Sequence, residues 1–163
     1  MLAIRPALII LAITFRCPTL AQAPAESVAP RAQVVFVCEH GSVKSLIAAS
    51  FFNQRAKAKG LSVRATARGV APEPAVPPVV RDGLRAAGFD VSGYRPQLLA
   101  ASDISGATLI VSFDEDVSGT VAGRARYLQW DNLPGVLSNY ARGRAAIVMR
   151  IDSLVDELAG AAP

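Results

Sequence analysis

The sequence predicts an α/β fold: a three-layer sandwich in which a central four-stranded parallel sheet carries helices on both faces. Two observations point there. The apolar runs Val34–Val37 and Ala107–Phe113 place apolar residues at successive positions, as strands buried on both faces require. Such runs alternate with helical patterns, and that alternation implies parallel strands joined by right-handed crossovers. A length of 163 residues allows one domain with a core of ordinary size.

The elements follow in order. Gln33 to Val37 reads as the first strand. The helix after it places Val43, Leu46, Ile47, Ser50 and Phe51 on one face. Arg55, Lys57 and Lys59 lie near its end, where cations suit the helix dipole, and Gly60 stops it. Ser62 to Ala67 alternates as a second strand. Gly69 to Pro78 contains Pro72, Pro74, Pro77 and Pro78 and reads as a loop. A helix from about Val79 to Ala87 follows, closed by Gly88. Gly93-Tyr94-Arg95-Pro96 is a turn, and a short helix or loop lies around Ser102-Asp103. Ala107 to Phe113 is the third strand, running into Asp114-Glu115-Asp116, and Arg126 to Trp130 is the fourth. In the last helix Ile147, Val148, Ile151, Leu154, Val155 and Leu158 form one stripe, opposite Arg150, Asp152, Ser153, Asp156 and Glu157.

The N-terminus reads differently. Arg5, the apolar stretch from Ala7 to Phe15 and the small residues around Ala21 and Ala25 have the order of a secretory signal peptide. The stretch is short for a membrane-spanning helix, and Arg16 interrupts it. Residues 1–25 are therefore assigned to a signal peptide, 26–32 to a linker and 33–163 to the domain. This implies a periplasmic or secreted protein with no stable membrane insertion after cleavage; an uncleaved anchor is the alternative. Removing Arg5 and Arg16 lowers the formal charge from +4 to about +2. No basic run interleaved with aromatics remains, which argues against nucleic-acid binding. One cysteine, Cys38, then remains, so no internal disulfide forms.

Cys38-Glu39-His40-Gly41-Ser42-Val43-Lys44-Ser45 carries the chemistry. A strand that turns tightly into a helix aims backbone N–H groups and the positive helix end into one concavity, which suits an anion. A cysteine there is placed for nucleophilic attack as its thiolate. The segment resembles the phosphate loop of the low-molecular-weight protein tyrosine phosphatases and of the arsenate reductases built on the same fold. Their pattern is cysteine, five residues, arginine, then serine or threonine. Cys38 and Ser45 match, and Lys44 stands where the arginine does. The resemblance extends over the order of elements and the late segment Trp130-Asp131-Asn132-Leu133-Pro134.

The resemblance implies hydrolysis of a phosphate monoester through a phosphocysteine. Cys38 would attack, Lys44 and the loop residues Glu39, His40, Gly41, Ser42, Val43 and Ser45 would hold the oxyanion, and Asp131 would protonate the leaving oxygen. Asp114 or Asp116 is the alternative acid. Ser45 would donate to the Cys38 sulfur. Lysine keeps the charge of arginine but loses its planar two-pronged grip, so weakened activity is expected. Gly41 suits a positive φ. His40 in its protonated form would add positive charge, and Glu39 is tolerable only if its side chain points outward.

No metal or cofactor is called for. The ligands implied are a phosphate or arsenate oxyanion and a phosphorylated substrate. Four alternatives stand beside phosphatase activity. Arsenate reduction would need an external thiol reductant, since one cysteine cannot run an internal relay. A degenerate oxyanion-binding module would keep the loop without turnover. A phosphocysteine carrier would share the loop, but the signal peptide argues against a cytosolic role. In the fourth, Cys38 is a buried structural residue. If the signal peptide is cleaved, N-terminal sequencing of protein recovered from the cell envelope should start at Gln22 or Glu26; a chain starting at Met1 indicates an anchor.

Overall fold

The computed structural model describes residues 32–121, 123 and 125–161. The signal-peptide assignment and nearly all of the linker lie outside the described residues. Four strands, β1 (Ala32–Cys38), β2 (Val63–Gly69), β3 (Leu109–Phe113) and β4 (Arg126–Trp130), form one parallel sheet in the order β2-β1-β3-β4. The helices are α1 (Lys44–Ala58), α2 (Pro78–Ala86), α3 (Ala101–Gly106), α4 (Ser118–Val121) and α5 (Tyr140–Gly160). The expected three-layer α/β sandwich is therefore present.

Alternation along β1 builds the core on both sides of the sheet. Val34, Phe36 and Cys38 face the larger cluster, with Leu46, Ile47 and Phe52 of α1, Val80 and Leu84 of α2, and Ile147, Ile151 and Leu154 of α5. Val35 and Val37 face the smaller one, with Ile104 of α3 and Val117 and Val121 at α4. The second face is thus covered by two short helices. Phe36 sits at the centre of the aromatic packing, 5.7 Å from Phe52, 6.1 Å from Phe113 and 6.0 Å from Trp130 between ring centroids.

Three differences from the sequence reading bear on the site. β2 continues two residues past Ala67 and ends on Gly69, pairing Cys38 with Gly69. Arg68 carries little apolar signal, yet it is held there by a two-pronged pair with Asp103: Nε donates to Oδ2 at 2.8 Å and a terminal nitrogen lies 2.8 Å from Oδ1. Burial pushes the Asp103 carboxyl up, but the Arg68 hydrogen bond and charge and the Ala100 N–H outweigh it and hold the group below its ordinary value. Helix α1 buries Ala48, Ala49, Phe52 and Ala56 beside Leu46, Ile47 and Phe51, while Ser50 of the expected face is only partly buried, because β2 and α5 enclose the helix from two sides. Helix α4, which had no periodic signal in four residues, is an addition.

Two measurements test this architecture. Phe36→Ala should lower unfolding stability by about 3–5 kcal/mol in denaturant titrations, since three aromatic rings lose their shared neighbour. Because the Asp103 carboxyl is depressed on folding, its contribution is present above the unfolded carboxylate value and fades as pH falls through the folded one. Asp103→Asn should flatten the acid side of the stability profile.

Candidate active site

The loop between β1 and α1 is held open by its own carbonyls. The Cys38 carbonyl accepts from Val70 N–H at 3.2 Å, that of Glu39 from Ala71 N–H at 2.8 Å and that of His40 from Glu73 N–H at 3.4 Å. The Gly41 carbonyl accepts from the Tyr94 hydroxyl at 2.6 Å. In a trans peptide plane the C=O and the following N–H point opposite ways. The amides of Glu39, His40, Gly41 and Ser42 are thereby directed away from these donors. Among the described residues no protein group accepts from the amides of residues 39–45. Helix α1 adds its positive end, with no acidic residue in its first turn and no side-chain cap from Val43. The result is a nest of unused donors, the ordinary structure of an oxyanion site.

Two glycines permit the turn. Gly41 has φ +69°, and a Cβ on it would stand 2.8 Å from the Gly69 nitrogen. A Cβ on Gly69 would stand 2.8 Å from the Gly41 nitrogen and 2.8 Å from the His40 carbonyl carbon. The backbones of the loop and of the end of β2 therefore approach closer than any side chain allows. Gly69 is also fixed on its other side, where its N–H donates to Gln97 at 2.9 Å and its carbonyl accepts from Leu99 at 2.9 Å.

The loop opens on a cleft of about 420 Å³ at the carboxyl ends of β1 and β3. Cys38, Glu39, His40, Val43 and Lys44 line one side, Phe113, Asp114 and Glu115 another, and Gly135 to Ser138 a third. Cys38 is 5% exposed, and its sulfur lies 3.1 Å from the Ser45 hydroxyl, itself fully buried. Ser45 therefore stands where a hydrogen bond to the sulfur was expected. Lys44 Nζ donates to the Asp114 carboxylate. Ser42 is fully buried and donates its hydroxyl to Glu73, so its part in the cleft is its amide. His40 Nδ1 lies 3.3 Å from the Ala71 carbonyl and Nε2 lies 3.6 Å from the Glu39 carboxylate. Glu39 has a largely exposed side chain, as its position required.

Asp131 is not among the residues lining the cleft. It follows β4, where Gln129 Nε2 donates to it at 3.1 Å. The reason is topological: β4 is two strands from β1, or about 10 Å at a strand spacing of ~4.8 Å. The neighbouring strand is β3, so Asp114, the residue after it, reaches Lys44. Asp114 does so from φ 59°, a left-handed conformation uncommon outside glycine but favoured by Asp and Asn among the rest. Asp116 lies on the same turn but not on the cleft; Ser118 donates to its carboxylate and holds it below its ordinary value.

Sequence reading missed Tyr94, Glu73 and the Lys44–Asp114 pair. Tyr94 sits in the Gly93–Pro96 turn, and nothing in that local pattern indicates a bond across 53 positions to Gly41. Burial pushes its hydroxyl up to about 12, so it remains a donor. Among the described residues no three His, Cys, Asp or Glu are grouped to hold a metal, and no helix is long and apolar enough to cross a membrane.

Residues 33–130 match the model of the family described as low molecular weight phosphotyrosine protein phosphatase. No curated protein sequence matches the chain. Among solved structures, the chain is similar to a thioredoxin-dependent arsenate reductase of Corynebacterium glutamicum. They are 22% identical with a TM-score of 0.69, over 82% of this chain and 64% of the reductase, so this chain spans less than two thirds of that protein. The low molecular weight protein tyrosine phosphatase of T. tengcongensis is 22% identical with a TM-score of 0.68, over 77% of this chain and 99% of that one. An arsenate reductase of Archaeoglobus fulgidus is 27% identical with a TM-score of 0.58, over 76% and 98%.

Tyr94→Phe tests the outward fixing of the carbonyls. Loss of the hydroxyl leaves the Gly41 carbonyl without its donor and should cost about 1–2 kcal/mol of stability. It should also weaken phosphate protection of Cys38 against iodoacetamide several-fold. Unchanged protection would mean that the loop holds its shape without Tyr94.

Proposed function

Because the chain belongs to the low molecular weight phosphotyrosine protein phosphatase family, whose members are hydrolases, we propose that it hydrolyses a phosphate monoester through a phosphocysteine on Cys38. The observation that supports this most is the set of unused amides on residues 39–45 surrounding a nearly buried nucleophile. Three peripheral phosphoryl oxygens need many fixed donors, and preorganised donors stabilise charge without rearranging during the reaction.

The steps follow from the geometry. The Cys38 sulfur attacks phosphorus, the S–P bond forms, and the bond to the leaving oxygen breaks as that oxygen takes up a proton. Water then attacks the phosphocysteine and releases orthophosphate. The Ser45 hydroxyl donates to the departing sulfur, which makes it a better leaving group. The carboxylates on the cleft are those of Glu39, Asp114 and Glu115. Asp114 already accepts from the Lys44 ammonium, so Glu115, on the wall across from the loop, is better placed than Asp131 to supply the proton. Lys44 lends charge to the oxyanion but shares it with Asp114. Weak turnover is the consequence, because orientation of the transferring group is a large part of such catalysis.

Arsenate binding at the same amides is compatible with this site. Its reduction would require an external thiol, since Cys38 is the only cysteine among the described residues. The apolar segment ahead of Gln22 supports action outside the cytoplasm, where such reductants are scarce, and this favours hydrolysis.

The test is turnover of p-nitrophenyl phosphate. Cys38→Ser should abolish it while phosphate still binds. Lys44→Arg should raise kcat/KM by ~10-fold, about 1.4 kcal/mol, because a guanidinium can hold Asp114 and the oxyanion together. Phosphate binding without turnover in both wild type and Lys44→Arg would overturn the hydrolase reading in favour of an oxyanion-binding module.

A further inference from the structure

The cleft wall that follows β3 has a fixing point of its own. Every residue of β3 is buried, and Ser112 is the polar one among them, fully covered on the same face of the sheet as Ile110. A buried hydroxyl needs a partner. Ser112 finds it on β4, where the Tyr127 hydroxyl lies 2.7 Å from its own. Tyr127 pairs with Ile110 in the sheet, so Ser112 is its diagonal neighbour, within reach of a long aromatic side chain. The same hydroxyl also meets the turn after β3. It accepts from the Val117 N–H at 3.4 Å and donates to the Glu115 carbonyl at 3.4 Å, with the Gln129 amide oxygen 3.5 Å away. Among the described residues these two backbone groups have no other partner. One proton and two lone pairs are all that a hydroxyl has, and Ser112, Val117 and Glu115 use all three.

Resting on the hydrolysis proposed above, we propose that Tyr127 is the positioning residue for Glu115 as proton donor. Glu115 lies on the cleft wall across from the loop and makes no ion pair among the described residues. Its place is therefore set by the backbone beneath it. That backbone opens on Asp114 at φ 59°, a conformation that a residue other than glycine keeps only where its surroundings hold it. Tyr127 does the holding, through the carbonyl of Glu115 itself and the amide two residues on. Tyr127 does not line the cleft, so it acts through Glu115 and not on the substrate. In the first step the proton passes from the Glu115 carboxyl to the leaving oxygen, as the O–P bond breaks and the S–P bond forms on Cys38. The carboxylate takes a proton back from the water that attacks the phosphocysteine. A small displacement of such a donor slows the first step, because proton transfer needs hydrogen-bond distance.

The experiment uses the full chain and compares kcat/KM for phenyl phosphate with that for p-nitrophenyl phosphate. Phenolate is a poor leaving group and needs the proton, whereas p-nitrophenolate departs readily as the anion. The ratio therefore reports proton donation, and a general loosening of the fold moves both substrates alike. Glu115→Gln should lower the phenyl phosphate value by about 10²-fold and the p-nitrophenyl phosphate value by less than ~3-fold. Tyr127→Phe should show the same asymmetry, with a loss of at least ~10-fold on phenyl phosphate. That variant also leaves the buried Ser112 hydroxyl without a partner, and Ser112→Ala/Tyr127→Phe removes the penalty. The double variant should melt close to the wild type and keep the asymmetry; should Tyr127→Phe unfold, it carries the comparison. Ser112→Ala alone should keep the wild-type ratio, because Tyr127 still holds the turn. An unchanged ratio in the Tyr127 variants, beside a changed one in Glu115→Gln, overturns the positioning role and leaves hydrolysis standing. An unchanged ratio in Glu115→Gln moves the proton donor elsewhere and overturns the proposal likewise. Absence of turnover of both substrates by the wild type would remove hydrolysis and the proposal together.

Discussion

The site depends on the planarity of four successive peptides. With each plane's carbonyl turned outward to a donor, its amide has to face the other way, and that requirement makes a bare loop into an anion nest. The donors come from elsewhere in the chain: the backbone of residues 70–73 after β2 and the hydroxyl of Tyr94. The first of these is positioned by β2, which lies parallel to β1 and runs in register to Cys38 and Gly69. Arg68 and Asp103 hold that end of β2 against α3, so a salt bridge that touches no substrate still governs where the loop's carbonyls are met. The Cys38 sulfur is held by the opposite device, a full burial of Ser45 beside it.

Packing explains why such a loop can be rigid. Cys38 is the last residue of a strand whose preceding four residues are essentially unexposed, with aromatic rings on one face and small helices on the other. A loop leaving so constrained a strand has few choices of direction. The contact of Gly41 with Gly69 removes most of the rest, because neither position tolerates even a methyl group without a backbone shift. The cradle is thus preorganised by close backbone approach rather than by side chains, which suits donors that must not move as charge develops.

The parts of this arrangement that were legible in the sequence are those carried by local pattern. The apolar runs 34–37 and 107–113 mark strands buried on both faces, and Cys38 to Ser45 marks the turn into a helix. The length of β2 was not legible, since Arg68 is polar and is retained by a partner 35 positions away. Tyr94 and Glu73 serve the loop through single long-range hydrogen bonds, which leave no periodic trace. For the acid, the sequence offered Asp131 first and Asp114 or Asp116 as the alternative. Asp131 follows β4, beyond β3, whereas Asp114 and Glu115 follow β3 and line the cleft with Cys38. Strand order is set by crossovers over the whole domain, so a local motif carries little information about it.

The substitution of lysine for arginine acquires its meaning from Asp114. The Lys44 side chain is mostly covered and that of Asp114 is 43% exposed, so solvent screens the pair and holds its worth to roughly 0–1 kcal/mol. An incoming dianion can therefore compete for the ammonium at small cost. A guanidinium could keep the aspartate on one edge and offer the other to the oxyanion, whereas a single ammonium nitrogen must divide its three donors between them. On the hydrolysis proposed above, ground-state binding at the amides would survive the exchange largely intact. Stabilisation of the trigonal transition state, which needs two aligned charged donors, would bear the loss. On that reading the cleft separates holding a phosphoryl group from transferring it, with the amides serving the first and the shared cation the second.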